Sequence, residues 1–273
     1  MSTPTLTAAP ALRFHPLRDS VTMLRRNLKR MLRYPSMTVL LIGMPVIFLL
    51  LFVYVFGGTM GAGLGGSAAD GRAAYANYLT PGILLMTVMS TVQGTAISIA
   101  MDMTEGIITR FRTMHIARVS VLTGHVIGSL IQAMLAVAVV TGVALLVGFD
   151  PTADLLGWLA TAGFVAAVSF AFIWLAVALG QASGTVETAS NAPMPLILLP
   201  FLSSGFVPTE SLPAGIRWFA EYQPFTPIIE TMRALLAGNP PGNDLWISLG
   251  WCAVIALGGY LWSKRLFNRE SKL

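Results

Sequence analysis

Long runs without an acidic residue, a lysine or an arginine constrain this chain most. Residues 38–56, 82–101, 125–148, 155–180 and 245–263 are such runs and are strongly apolar. About 20 apolar residues suffice to cross the hydrocarbon core of a bilayer as a helix, so each is read as a membrane-spanning helix. A sixth run, 192–206, is shorter and is punctuated by Pro193, Pro195 and Pro200. The first run exceeds the core of a cleavable signal peptide and reads as an uncleaved span.

Composition supports the same class. Of 273 residues 55% are hydrophobic and 11% charged, against roughly 25% charged in soluble domains. The net charge of +5 does not point to nucleic acid, because the basic residues cluster beside apolar runs, where topology and anionic lipid place them. Cys252 lies inside an apolar run as a packing residue and has no partner for an intramolecular disulfide, and three dispersed histidines make no metal cluster.

The basic residues also decide the sixth run. With the N-terminus in the cytoplasm and six spans, Arg13, Arg18, Arg25, Arg26, Lys29, Arg30, Arg33, Arg110, Arg112, Arg118, Lys264, Arg265, Arg269 and Lys272 fall inside. Only Arg72, Arg217 and Arg233 fall outside, so 14 of the 17 Lys and Arg obey the positive-inside rule. The expected fold is therefore an all-α membrane protein with six transmembrane helices and both termini cytoplasmic. Its parts are an N-terminal segment, 1–36, a transmembrane domain, 37–263, and a tail, 264–273. Residues 57–80 read as a Gly-rich external loop, 149–154 as a very short one, and 207–243 as the largest external piece. In that last piece Leu212, Ile216 and Phe219, then Ile228, Ile229, Met232 and Leu235, recur at helical spacing with Pro224 and Pro227 between them. This pattern predicts two short external helices after the fifth span. Trp218, Tyr222, Trp246 and Trp262 are placed as interfacial aromatics.

Two polar segments stand out. Ahead of the first span, Leu17, Val21, Leu24, Leu28 and Met31 repeat every three or four residues, with Arg25, Arg26, Lys29 and Arg30 among the opposing charges. This is an amphipathic interfacial helix, a lipid anchor or a docking surface for a partner. Between the second and third spans, residues 104–118 carry Ile107, Phe111 and Met114 on one side and Arg110, Arg112 and Arg118 around the rest. One reading is a solvated loop helix. The other is a short cytoplasmic helix seated in a groove of a motor subunit, with apolar anchors for grip and charges for register. Glu105 near its start favours the helix dipole.

Several chemistries find no residues. A phosphate-binding loop needs Gly-Lys followed by Ser or Thr, and none of Lys29, Lys264 and Lys272 follows a glycine. The central parts of the spans lack Asp, Glu, Lys, Arg and His, which speaks against an ion-coupled carrier. No catalytic triad or metal-ligand spacing such as His-Glu-x-x-His occurs. The polar residues within spans, among them Thr87, Ser90, Gln93, Gln132 and Asn191, are expected to bond across helices, and Gly124-x-x-x-Gly128 and Gly180-x-x-x-Gly184 allow close helix approach.

The motifs then carry a resemblance. Glu105-Gly106-Ile107-Ile108-Thr109-Arg110-Phe111-Arg112-Thr113-Met114 resembles the cytoplasmic loop of permease subunits of type-2 ABC exporters, specifically the daunorubicin-resistance class. So do Arg33-Tyr34-Pro35, Ser203-Ser204-Gly205-Phe206-Val207-Pro208 with Leu212-Pro213, Gln223-Pro224-Phe225-Thr226-Pro227 and Glu230-x-x-Arg233-Ala234-Leu235-Leu236-x-Gly238. His115 departs from the pattern, in which Pro is common. The resemblance implies a bacterial inner-membrane permease that exports a hydrophobic or amphiphilic substrate such as a drug, polyketide or lipid. ATP and Mg2+ would be bound by a separate ATP-binding cassette subunit, no cofactor by this chain, and a second permease would complete a homo- or heterodimer. It places Glu105, Arg110, Phe111, Arg112, Met114 and Arg118 at the ATPase coupling surface, beside the N-terminal helix with Arg25, Arg26, Lys29 and Arg30. Met86, Met89, Gln93, Asn191 and Phe201 are candidates for the substrate path. Alternatives are export of a lipid-linked glycan by the same architecture, or an ion-driven carrier working alone.

Overall fold

The structure, a computed structural model, describes Arg25 and residues 35–62, 68–105 and 118–269, with side chains for Arg25 and within 39–61, 71–105 and 123–266. Among the described residues every regular element is helical. α1 (Pro35–Leu51) runs through a π-helical turn (Phe52–Phe56) into α2 (Gly57–Ala62). α3 (Ala68–Thr104), α4 (Arg118–Val147) and α5 (Leu155–Ala182) follow. Next come two short helices, α6 (Val186–Asn191) and α7 (Met194–Leu198), and a 3-10 turn (Leu199–Leu202). α8 (Ala214–Tyr222), α9 (Phe225–Leu236) and α10 (Gly242–Arg269) complete the chain.

Five helical stretches are long and apolar enough to cross a bilayer: Val39–Gly61, Gly71–Thr104, Thr123–Val147, Leu155–Ala182 and Gly242–Leu266. They match the five longer runs read from the sequence, with only residues 38 and 148 falling outside. The sixth run is not one helix. Its prolines break it into α7, the 3-10 turn and non-helical turns over 203–206, because a prolyl nitrogen donates no hydrogen bond and its ring clashes with the preceding turn. The two helices expected after it are present as α8 and α9.

The loop expected over 57–80 needs correcting. α2 extends the first span to Ala62 and α3 already begins at Ala68. Gly61 serves contact, not flexibility: a β-carbon on it would lie 2.0 Å from the Gly71 carbonyl oxygen. Two helices touch backbone to backbone at that point, as small residues allow in membranes.

α3 is the axis of the bundle, packing against α1, α2, α4, α5, α6 and α9, while α10 leans chiefly on α5 and α9. Leu79, Ile83, Leu84, Leu85, Met89 and Val92 of α3 sit in the core with Leu49 and Val53 of the first span, Phe172 of α5 and Phe225, Ile228 and Ile229 of α9. Thr80, Thr87, Ser90, Thr91 and Thr95 are buried there too, yet they do not bond across helices as expected. Each donates to the carbonyl four residues back, Thr87 to Ile83 at 2.8 Å and Ser90 to Met86 at 3.1 Å among them. Such back-bonding satisfies the hydroxyl inside its own helix and leaves a narrow, closely packable face. Gln93 does reach across, donating through Nε2 to the Ser190 carbonyl of α6 at 2.8 Å.

Candidate functional site

The bundle has two polar ends. The connection 148–154 marks the end called upper below, and the termini of α3 and α4 that flank residues 105–117 mark the lower end.

At the upper end the quoted motifs fold onto one another. Arg233 of α9 donates through Nη2 to the Ser204 carbonyl at 2.8 Å and to the Tyr78 carbonyl of α3 at 3.1 Å. Its guanidinium lies 4.1 Å from the centroid of the Tyr78 ring, within cation–π range, and Nη1 pairs with Glu230 one turn back. Gln223 donates to the Leu202 carbonyl at 2.6 Å, Ser204 N–H to Thr226 Oγ1 at 3.4 Å, and Gly205 N–H to Ser203 Oγ at 3.2 Å. The segment 199–206 is irregular, so its backbone groups lack helical partners, and these side chains supply them. Gly82 and Gly205 close the contact: a β-carbon on Gly82 would meet the Gly205 carbonyl oxygen at 2.8 Å. The connection between α4 and α5 is stitched on as well, with Asp150 N–H on Asn77 Oδ1 at 2.8 Å and Ala153 N–H on the Leu236 carbonyl at 3.1 Å. Gly238, at φ +67°, lets α9 end with Asn239 N–H on the Ala234 carbonyl.

Two cavities flank Arg233. One, of about 500 Å3, is lined by Glu230, Arg233, Asn239 and Asp244 among others. The second, of about 430 Å3, is bounded by Asn77, Tyr78, Phe149 and Arg233 among others. On the adjoining α8, Trp218 and Tyr222 are 66% and 67% exposed, as aromatics at an interface would be. Arg217 and Glu221 pair along the same helix at 2.7 Å, and that bond pushes the guanidinium above its ordinary value.

Aromatic residues fill the space between the first span and the broken segment. Phe201 and Phe206 stack with centroids 4.3 Å apart, and Phe201 meets Phe48 at 5.5 Å. Phe206 meets Phe52, at the start of the π-helical turn, at 5.1 Å. One residue of extra winding there turns the following side chains relative to an ideal α-helix.

The lower end holds a buried acid–base pair, His125 Nε2 to Asp102 Oδ2 at 3.0 Å, with side chains 4% and 1% exposed. A small apolar cluster separate from the main core adjoins it in sequence: Ile99, Val126, Ile173 and Val177, with Met103, Leu130 and Trp174 around them. Gly180 permits the approach of α5, since a β-carbon there would lie 2.6 Å from the Ala96 carbonyl oxygen; at Gly184 nothing lies within 4 Å. Ser263 of α10 bonds Gln181 of α5 at 3.0 Å.

The sequence-derived candidates are distributed as follows. Glu105 is exposed, one residue past α3, with its N–H on the Met101 carbonyl at 2.9 Å. Arg118 is the first residue of α4. Arg110, Phe111, Arg112 and Met114 lie outside the described residues, as do Arg26, Lys29 and Arg30, while Arg25 is exposed. Of the path candidates, Met86 and Met89 are 3% and 0% exposed in the core. Gln93 is half-buried and Asn191 exposed, brought close by the bond from Gln93 to Ser190. Phe201 belongs to the phenylalanine cluster. Sequence reading passed over the joint role of Arg233, Tyr78 and Ser204. The signal available was an arginine inside a motif, on a chain with few charges.

The described residues form a helical bundle with five helices long and apolar enough to cross a membrane, the architecture of a multi-pass membrane protein. The chain belongs to the ABC-2 type transporter family, whose model matches residues 19–237. Among curated proteins it is similar to the daunorubicin resistance ABC transporter permease protein DrrB1 of Streptomyces coeruleorubidus. The two are 28% identical over 243 residues, covering 87% of this chain and 83% of the relative. It is thus a multi-pass membrane protein of the permease class, and membership implies partnership with an ATP-binding subunit.

Proposed function

We propose that this chain is the membrane-spanning permease of an ATP-driven exporter in a bacterial inner membrane, with ATP and Mg2+ handled by a separate subunit. Its cargo is a hydrophobic amphiphile of the drug, polyketide or lipid type. The observation that carries this reading is the match over most of the chain to a drug-resistance permease, in a sequence without a lysine placed for phosphate binding. In this reading the upper end faces outward and both termini face the cytoplasm. Residues 104–118 and the N-terminal helix dock on the ATPase, through Glu105, Arg110, Phe111, Arg112, Met114 and Arg118 and through Arg25, Arg26, Lys29 and Arg30. A second permease completes the path, which runs past Gln93, Asn191 and Phe201; Met86 and Met89 keep the axis helix packed beside it. Nucleotide binding shifts the population between cavities open on either side.

The test is reconstitution in liposomes with the ATP-binding subunit, using daunorubicin fluorescence as the readout. Uptake that requires ATP and both chains is the expected result. ATP-independent, gradient-driven uptake by this chain alone would overturn the reading.

A further inference from the structure

We propose that Asp102 and His125 form a clasp that makes the lower ends of α3 and α4 move as one lever, so that they are positioning residues for transmission. The proposal rests on the reading above, in which the segment between those ends meets the ATPase.

Three observations carry it. Asp102 lies two residues before the end of α3 and His125 seven residues into α4, so the pair ties together the two stems from which residues 105–117 depart. Both side chains are almost fully buried and bond at 3.0 Å, beside an apolar cluster in which any polar group is costly. Finally, α3 is the helix that α1, α5, α6 and α9 share as a neighbour, so whatever moves its lower end reaches the phenylalanine cluster and the Arg233 knot.

The energetics argue for position over stability. Replacing both members of a buried hydrogen-bonded pair by apolar groups of the same shape can be nearly neutral or stabilising, so packing alone does not call for this one. What a bonded pair adds is a fixed register between two helices. With the stems clasped, a displacement of the 105–117 segment translates α3 and α4 together. Without the clasp the same displacement shears one stem past the other, and the motion is spent locally.

The experiment uses the full complex with its ATP-binding subunit in liposomes, in a Cys252→Ser background carrying Asn239→Cys, an exposed position at the upper end. The rate of labelling by a membrane-impermeant maleimide is compared with and without ATP and vanadate, and ATP hydrolysis is followed in the same vesicles. In the parent complex nucleotide should change the labelling rate about fivefold or more, an ordinary coupling magnitude. Asp102→Asn and His125→Phe should keep partner binding and hydrolysis near the parent level yet lose the nucleotide-dependent change. Asp102→Glu, which retains the carboxylate, should restore most of it. A full labelling response in Asp102→Asn would overturn the clasp while leaving the permease reading intact. So would parallel loss of partner binding, hydrolysis and response, with no rescue by Asp102→Glu. No nucleotide response in the parent would overturn the permease reading and the clasp with it.

Discussion

α3 and α10 have the same mean hydropathy in their spanning stretches, yet the most apolar part of α3 is 78% buried within the chain and that of α10 only 17%. Apolarity therefore says that a helix crosses a membrane, not where in the bundle it stands. The difference lies in side-chain size and in where hydroxyls bond. α3 alternates large apolar residues with Gly, Ala, Ser and Thr, and its hydroxyls are satisfied within the helix, so neighbours come close on every side. α10 turns Trp246, Trp251, Val254, Leu257, Leu261 and Trp262 outward, where lipid is as good a neighbour as protein. It keeps a narrow seam, including Gly259, whose β-carbon would meet Leu175 N at 2.6 Å.

Three pairs of substitutions and one single substitution sharpen or break that comparison, each read as unfolding free energy in detergent micelles. The largest effect is expected for Gly82→Leu, which drives a side chain into the backbone of residue 205 and should cost more than about 3 kcal/mol or abolish the folded protein. Gly258→Leu on α10, with nothing within 4 Å of its β-carbon position, should fall within about 0.5 kcal/mol of the parent. Arg233→Ala leaves the Ser204 and Tyr78 carbonyls without their donor and should cost about 2–4 kcal/mol. Arg233→Lys should recover little, because an ammonium lacks the fork that reaches two carbonyls and the aromatic face together.

Leu84→Ala on α3 tests packing alone. The unfolded chain also lies in an apolar phase, so the transfer contribution is small and the cavity remains, at about 1–2 kcal/mol. Leu257→Ala on α10 should cost less than about 0.5 kcal/mol, since lipid or detergent fills the gap. Among the α3 substitutions the smallest effect belongs to Thr87→Val. It removes a hydroxyl whose bond closes on its own helix, and a change under about 1 kcal/mol is expected. A large loss there would mean that the hydroxyl bonds across helices after all.

The sequence was legible where length and charge decide the outcome. Uncharged runs of sufficient length became the long helices, the 149–154 connection is short, and Ile216, Phe219, Ile228 and Met232 lie on the two short helices their spacing announced. It was misleading where the same residue type serves opposite ends. Gly57, Gly58 and Gly61 read as a flexible loop because glycine favours loops, but all three are helical and Gly61 lets two helices touch. Thr87 and Ser90 read as cross-helix donors because spacing does not reveal whether a hydroxyl turns back on its own carbonyl. Arg233 was read for topology and as part of a motif but not for its contacts, since its partners are backbone carbonyls of Tyr78 and Ser204, 155 and 29 residues away. The Asp102–His125 pair was visible as two residues at span ends, but not as one contact. The coupling candidates Arg110, Phe111, Arg112 and Met114 stand on the sequence and on the family to which the chain belongs.

The central claim is that this permease is driven through the segment between α3 and α4. The most direct measurement is co-purification of the tagged chain with its ATP-binding subunit, comparing the parent, Arg112→Glu and a control, Arg72→Glu, at matched amounts of folded permease. The account predicts that the parent and Arg72→Glu retain the subunit and that Arg112→Glu loses it. Equal retention by all three would contradict it.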